Sequence, residues 1–297
     1  MEWQQILGFY HVARLGSFTK AAEATFRTQS ALSQQVKNLE DELECRLLER
    51  IGRRGLRLTT AGQRFFQFSE TVLAGYDSLV EELETLKGMQ KGRLKIAAPF
   101  TTLYHLFPFA LKRYAEAFPN VEITVLDRSQ QRVLDLVKNG DVDFGLALES
   151  VTAGDLIAFR WKKVRTVLMT PARHPLTRLK RVTLRQIAKY PLILPPRNLK
   201  YPYRSILEDK LQKQGLDFHI ILESSNVELS AAYVENGLGL SFATIIMDLP
   251  ALKQRSLAFL PMDHISKPDY IAVVMRKDKT LSGHKSAFIN VLFGETF

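Results

Sequence analysis

The sequence predicts an α+β chain of several domains: a helical head with a hairpin, one long linker helix, and a C-terminal α/β part in two subdomains. Three observations predict this. Two short capped helical segments fill residues 17–43. Apolar residues recur every seven positions from Phe65 to Leu86, the stripe of a helix that pairs with another helix. Beyond Gly92, strand-like and helix-like segments alternate, which argues for a mostly parallel sheet covered by helices.

Composition narrows the class. The chain has 297 residues, 46% of them hydrophobic, enough for two or more cored units. The N-terminus lacks a basic region followed by an apolar run, and no apolar stretch approaches the roughly 20 residues that span a bilayer. A cytoplasmic protein without a membrane segment is expected. Cys45 is the single cysteine, which excludes an intrachain disulfide and a thiolate metal cluster. It is expected to lie buried in an apolar-periodic helix. The net charge is +10, yet residues 1–91 carry 12 basic and 12 acidic residues. An argument for nucleic acid therefore rests on local placement rather than on overall charge.

Local placement begins in the head. Ile6, Leu7, Phe9, Tyr10 and Val12 suit a first helix over residues 3–14, ended by Gly16. Ser17 and Thr28 can each cap a following helix, because a hydroxyl accepts a first-turn N–H. In the helix after Thr28, the residues Leu32, Val36, Leu39 and Leu43 share one face, which must be buried. Ser30, Ser33, Gln34 and Lys37 then point outward. With Thr28 and Gln29 they form the short polar surface that a recognition helix brings to a major groove. The bland alternative is an amphipathic hairpin with a solvated face.

Two β-compatible segments flank Gly52-Arg53-Arg54-Gly55, predicting a small hairpin. Beside a helix-turn-helix this is a wing. Arg50, Arg53, Arg54 and Arg57 there would contact phosphate or a minor groove, which positions more than it specifies. A solvated basic loop is the alternative.

Thr59 or Thr60 can cap the next helix, which runs to about residue 87. Phe65, Val72, Leu79 and Leu86, with Tyr76 and Leu83 between them, predict a dimer seam, with Ser69 its weak point. Packing on the same domain is the alternative. A twofold dimer would present two recognition helices to a palindromic site. Residues 88–92 read as a hinge.

The remainder reads strand 94–98, helix 101–117, strand 121–126, helix 131–138 and strand 143–148. Strands near 165–170, 190–194, 218–222, 238–243 and 270–275 follow, with helices at 203–214, 227–236 and 280–292. This is too much for one small sheet, so two subdomains are expected, crossing near residue 161 and returning near 266. Ligands in open α/β sheets bind beyond the carboxyl ends of the strands. Thr101 and Thr102 stand at such a strand-to-helix turn, where hydroxyls and free N–H groups receive an anion. Plain helix capping explains them equally well. Ser129-Gln130 and Tyr203-Arg204 open two further helices. Arg204 is expected to contact a carboxylate or sulfonate in two-pronged fashion.

At this point the chain resembles the LysR-type transcriptional regulators. The carrying residues run from Phe9 through Gly16-Ser17-Phe18-Thr19-Lys20-Ala21-Ala22, and from Gln29-Ser30-Ala31-Leu32-Ser33 to Leu39-Glu40. Leu47-Leu48-Glu49-Arg50, Leu58-Thr59-Thr60-Ala61-Gly62, Gly140-Asp141-Val142-Asp143 and Gly237-Leu238-Gly239 continue the likeness. The resemblance covers the whole chain. It implies a winged helix-turn-helix over 1–59, a linker and dimerisation helix over 60–91, and an effector-binding domain over 92–297. The last resembles periplasmic solute-binding proteins, with subdomain I at about 92–161 and 266–297 and subdomain II at about 162–265. It also implies double-stranded DNA as partner, homodimers paired into homotetramers, and contact with RNA polymerase. The effector half is most similar to the branch that regulates sulfur assimilation, through Ala98-Pro99-Phe100-Thr101-Thr102, Tyr190-Pro191-Leu192 and Arg204-Ser205.

Two groups of departures matter. The family commonly has proline where Ser30 stands and arginine where Gln34 stands; an amide shifts preference toward adenine-type edges. Leu148 replaces a hydroxyl expected after the third effector-domain strand, and residues 201–202 lack an expected threonine, which counts against sulfate itself. Of other functions, a solute-binding protein fits half the chain but neither its start nor its first 90 residues. An enzyme is disfavoured, because the six histidines are scattered and neither a nucleophile motif nor a Gly-rich phosphate loop appears. No catalytic residue, metal site or cofactor is expected beyond a small, anionic effector.

Overall fold

A computed structural model describes the chain apart from residues 52–54, 87–91, 153, 198–201, 247–254, 280, 282 and 295–297. It divides into two compact units: Met1–Met89 with Asp278–Ser282, and Gln90–Lys277 with Gly283–Phe297.

The first unit opens with α1 (Trp3–Leu15), α2 (Phe18–Ala24) and α3 (Gln29–Glu42). Gly16 ends α1 at φ 60, a left-handed conformation that glycine adopts without a Cβ penalty. The Ser17 hydroxyl accepts the Lys20 N–H, and the Thr28 hydroxyl accepts that of Ala31 at 3.2 Å. Leu32, Val36 and Leu39 are buried against Phe9, Val12 and Ala21. Each such side chain contributes about 1.5–3 kcal/mol on burial.

Leu43 departs from the expected ridge: it caps the C-terminus of α3 and is 38% exposed. The helix stops because Glu44 turns left-handed at φ 52, so Cys45 lies beyond it, half-buried, rather than inside a helix. Glu40 secures the turn, its Oε1 accepting the N–H of Leu47 at 2.7 Å and of Leu48 at 2.9 Å.

Strands β1 (Leu48–Ile51) and β2 (Gly55–Leu58) pair antiparallel. The arginines expected at the hairpin tip, Arg53 and Arg54, lie outside the described residues. Helix α4 (Thr60–Leu86) follows for 27 residues, about 40 Å. Thr59 is its cap: the hydroxyl accepts the Gly62 N–H at 2.9 Å and donates to the Arg46 carbonyl at 2.7 Å. Gly62 is obligatory, since a Cβ there would stand 1.9 Å from the Leu47 carbonyl oxygen.

The α4 stripe serves two purposes. Phe65 and Phe66 pack on α1 through Phe9 and Tyr10, with ring centroids 5.1 and 5.5 Å apart. Ser69 is buried and back-bonds to the Phe65 carbonyl at 2.7 Å. Further along, Leu79 is 52% and Leu83 46% exposed.

In the second unit, β3 (Gly92–Ala98), α5 (Phe100–Ala117), β4 (Val121–Asp127), α6 (Gln130–Lys138) and β5 (Phe144–Leu148) build the first half. Strand β6 (Leu156–Pro171) leads into the second half. There follow α7 (Leu184–Ile187), β7 (Leu192–Leu194), α8 (Pro202–Lys213), β8 (Ile220–Glu223), α9 (Val227–Glu235), β9 (Leu240–Ile245) and β10 (Leu257–Pro261). Strand β11 (Asp269–Arg276) and α10 (Gly283–Phe293) complete the first half.

The strand order is β4-β3-β5-β11-β6-β9-β7-β8, with β10 on β6. The sheet is mixed rather than mostly parallel. Strand β3 is parallel to β4 and β5, and β7 to β8 and β9, but β6 and β11 run antiparallel to their neighbours. The reason is the crossing. Val164 on β6 pairs with Asp269, and the next residue, Arg165, pairs with Ile245 on β9. One continuous strand thus joins the two halves. Asp143 ties the first half together: its Oδ2 accepts the Lys95 N–H at 2.7 Å, and its Oδ1 lies 3.3 Å from Lys285 Nζ.

Candidate nucleic-acid interface and ligand cleft

On α3 the buried ridge turns Gln29, Ser30, Ser33, Gln34 and Lys37 outward, all exposed. Thr28 is committed to the cap, and its hydroxyl lies 3.2 Å from that of Ser30. Gln34 Nε2 donates to Asn38 Oδ1 at 2.7 Å, so the amide is pre-oriented one turn along the same face. Arg57, on the hairpin, is exposed and stands opposite Glu49, its Nε 3.7 Å from the carboxylate. A pair this open contributes little and yields readily to phosphate. Arg50 lies in β1. The surface offers hydroxyls, amides and single positive charges at a helix N-terminus, the chemistry of base edges and phosphate oxygens.

In the second unit, two cavities share Leu148, Val164 and Thr244 in their walls. The first, about 90 Å³, lies where the N-termini of α5 and α9 approach, lined by Thr101, Thr102 and Gln130 from one half and by Val227 and Glu228 from the other. The first turn of α5 has no acidic residue and Pro99 gives it no side-chain cap, so its N–H groups keep their partial positive charge. Thr102 is 8% exposed, and its hydroxyl has no partner among the described residues.

A side-chain hydrogen bond on this wall crosses between halves. His105 Nε2 on α5 lies 2.6 Å from Glu228 Oε1, in the first turn of α9. Arg255 holds the other oxygen of Glu228 and lies 3.7 Å from Glu235. Among the described lining residues neither lysine nor arginine appears.

The expected ligand residues do not all gather here. Gln130 lines the cavity and its Oε1 accepts the Leu148 N–H at 2.9 Å, so its amide nitrogen remains for a ligand. Ser129 precedes α6 without a side-chain capping bond and lines neither cavity. The side chain of Tyr203 lies outside the described residues. Arg204 is corrected: it is 4% exposed, with Nε 2.9 Å from Glu208 and Nη1 2.7 Å from Glu223, and it also donates to the Pro195 carbonyl. Burial disfavours its charge, but Glu223 and Glu208 outweigh this and raise its pKa above the ordinary value. Its Nε and Nη1 are committed to its own fold, and it lines neither cavity.

Sequence reasoning misses Glu228, Arg255 and Glu40. Glu228 follows Asn226, whose side chain caps α9 by accepting the N–H groups of Glu228 and Leu229, a recognisable start signal. Its partner is 123 residues away, which no local pattern reveals.

Comparison with known proteins covers both units. The family described as LysR substrate binding domain matches residues 87–295, and the bacterial regulatory helix-turn-helix protein, lysR family, matches residues 3–63. The HTH-type transcriptional regulator cbl of Escherichia coli is 30% identical over 242 residues, covering 81% of this chain and 76% of the relative. The HTH-type transcriptional regulator CysB of Burkholderia cenocepacia is 28% identical over 287 residues, covering 93% and 88%. A full-length OxyR variant from Pseudomonas aeruginosa shares the fold, with a TM-score of 0.70 at 21% identity over 99% of this chain and 97% of that one.

Proposed function

This chain belongs to the LysR family of helix-turn-helix transcriptional regulators, and from that premise we propose how it reads DNA and what it senses. It is a DNA-binding regulator with an effector domain, not an enzyme or a solute-binding protein. Residues 1–59 form the DNA-binding head, 60–91 the linker and 92–297 the effector domain, its subdomains meeting near residues 161 and 266. It works in the cytoplasm, where its DNA is.

Two copies pair through the exposed end of α4, where Leu79 and Leu83 have no cover within the described chain. Pairing sets two α3 helices about one DNA turn apart. Ser30, Ser33 and Gln34 read base edges, and Gln34 favours adenine once Asn38 releases it. Lys37, Arg50, Arg53, Arg54 and Arg57 hold phosphate. Dimers associate into tetramers.

The effector is a small, singly charged anion at the N-terminus of α5, held by Thr101, Thr102 and Gln130. Glu228 on the same wall is already paired with Arg255, so the helix end decides the sign. Binding there changes the angle between subdomains, and the tetramer transmits the change to the spacing of the heads, to DNA bending and to polymerase contact. Such a shift needs different affinities for two arrangements.

One observation carries the reading: a polar, exposed face on α3 stands directly above the fully buried Leu32 and Leu39. Salt-dependent binding to the DNA upstream of its own gene tests it. Selective binding that weakens steeply with salt supports the reading; equal affinity for unrelated DNA defeats it.

A further inference from the structure

The second cavity, about 340 Å³, lies beside the first on the same sheet face. That volume is at the small end of ligand pockets. Thr166 on β6 stands opposite Thr244 on β9, so both side chains share the cavity face. Thr166 is 4% exposed, and its hydroxyl has no partner among the described residues. A buried hydroxyl in that state calls for an explanation, and a ligand is one. Ser266 also lines the cavity, and neither its hydroxyl nor that of Thr244 has a partner among the described residues.

Two residues of opposite charge line the same space. Lys267 lines it and forms no ion pair among the described residues. Asp269 lines it from β11, opposite Val164 in register. Its Oδ2 accepts the Ser150 hydroxyl at 2.5 Å and its Oδ1 the Tyr270 N–H at 2.7 Å, which fixes the carboxylate; Arg160 feels its charge but is bonded to Glu149. A simple anion would meet Asp269, and a simple amine would meet Lys267. A ligand carrying both charges complements both. Leu148, Val164, Ile206 and Ile265 supply an apolar wall.

We propose that this cavity binds a small zwitterion, an α-amino acid with a short apolar side chain. Its carboxylate meets Lys267 and the hydroxyls of Thr166 and Thr244. Its ammonium meets Asp269, and its side chain lies on the leucine–isoleucine wall. This adds a second ligand to the anion read for the first cavity, and it rests on the effector-domain reading only for the shared cleft.

Calorimetric titration of the full chain tests it with three probes: L-leucine, 2-hydroxy-4-methylpentanoate, which lacks the ammonium, and 3-methylbutylamine, which lacks the carboxylate. L-leucine binds at least about tenfold more tightly than either analogue, because each analogue leaves one of the two charges unanswered. Thr166→Val and Lys267→Met each weaken L-leucine about tenfold or more, and Lys189→Met, at an exposed lysine outside both cavities, does not. Lys267 is exposed, so its variant folds even if Thr166→Val does not. The proposal is overturned if the hydroxy acid binds as well as the amino acid, if Lys267→Met leaves L-leucine unaffected, or if Lys189→Met weakens it equally. It is also overturned if no heat appears at about 10 mM L-leucine, where even a millimolar affinity registers. Each of these leaves the DNA-binding reading intact, since binding of the unsubstituted chain to DNA is measured separately.

Discussion

His105 Nε2 and Glu228 Oε1 stand 2.6 Å apart across the cleft of the effector domain, one on α5 and the other at the start of α9. Side-chain exposures of 6% and 15% make this contact a largely desolvated link between the two halves. Replacing Glu228 with Gln removes the charge from the link and from Arg255. The effector domain should lose about 1–3 kcal/mol of stability, read as a lower unfolding midpoint in denaturant. An unchanged midpoint would mean that the link contributes nothing to closure.

On the recognition face, Ser33→Ala and Gln34→Ala should relax sequence preference with little loss of affinity for unrelated DNA. Lys37→Ala and Arg57→Ala should weaken binding to all sequences, each lowering the salt slope by about 1. Gel-shift titration at several salt concentrations separates the two classes. A uniform loss from Gln34→Ala would move that residue from base contact to phosphate contact.

Gly62 lies under the Leu47 carbonyl with no room for a Cβ. Gly62→Ala should destabilise the head by about 1–3 kcal/mol or more, as overpacking against backbone does. Thermal unfolding of the full chain would show the head melting earlier while the effector domain keeps its own transition. Coincident, unshifted melting would contradict the packing.

His174 caps a short turn with its Nδ1 accepting the Leu176 N–H at 3.3 Å, and burial lowers its pKa. The acceptor role requires the neutral ring. The folded pKa lies below the unfolded value of about 6.5, so the contribution is full above that value and is lost as pH falls through it. His174→Asn keeps a capping acceptor that does not titrate. Its stability should fall less than the parent's between about pH 7 and 5, by denaturant midpoint at each pH.

Leu79→Glu with Leu83→Glu should leave the head folded but convert the pair to single chains, because charge replaces the exposed apolar end of α4. Sedimentation reads the mass directly. An unchanged mass would place the dimer contact elsewhere.

Local signals explain what is legible in the sequence. Ser17 and Thr28 are capping residues whose partners lie three positions on, and Leu32, Val36 and Leu39 follow helical period. The apolar pattern marks strand β6 over 165–170 alone, yet it begins at Leu156. Arg160, Lys162 and Lys163 interrupt that pattern where the strand faces solvent. Short β10 escapes the sequence reading, since its pairing with β6 is long-range. Arg204 reads as a ligand contact because its burial against Glu208 and Glu223 depends on tertiary packing. The link from His105 to Glu228 joins residues that no sequence pattern couples.

On the proposed reading, a paired molecule turns the α3 polar face into DNA. Hydroxyl-radical footprinting of the full chain on its own upstream DNA tests it most directly. Two protected patches about one helical turn apart are expected, both lost in a Ser33→Ala, Gln34→Ala double variant. A single patch, or a footprint identical in that variant, would contradict it.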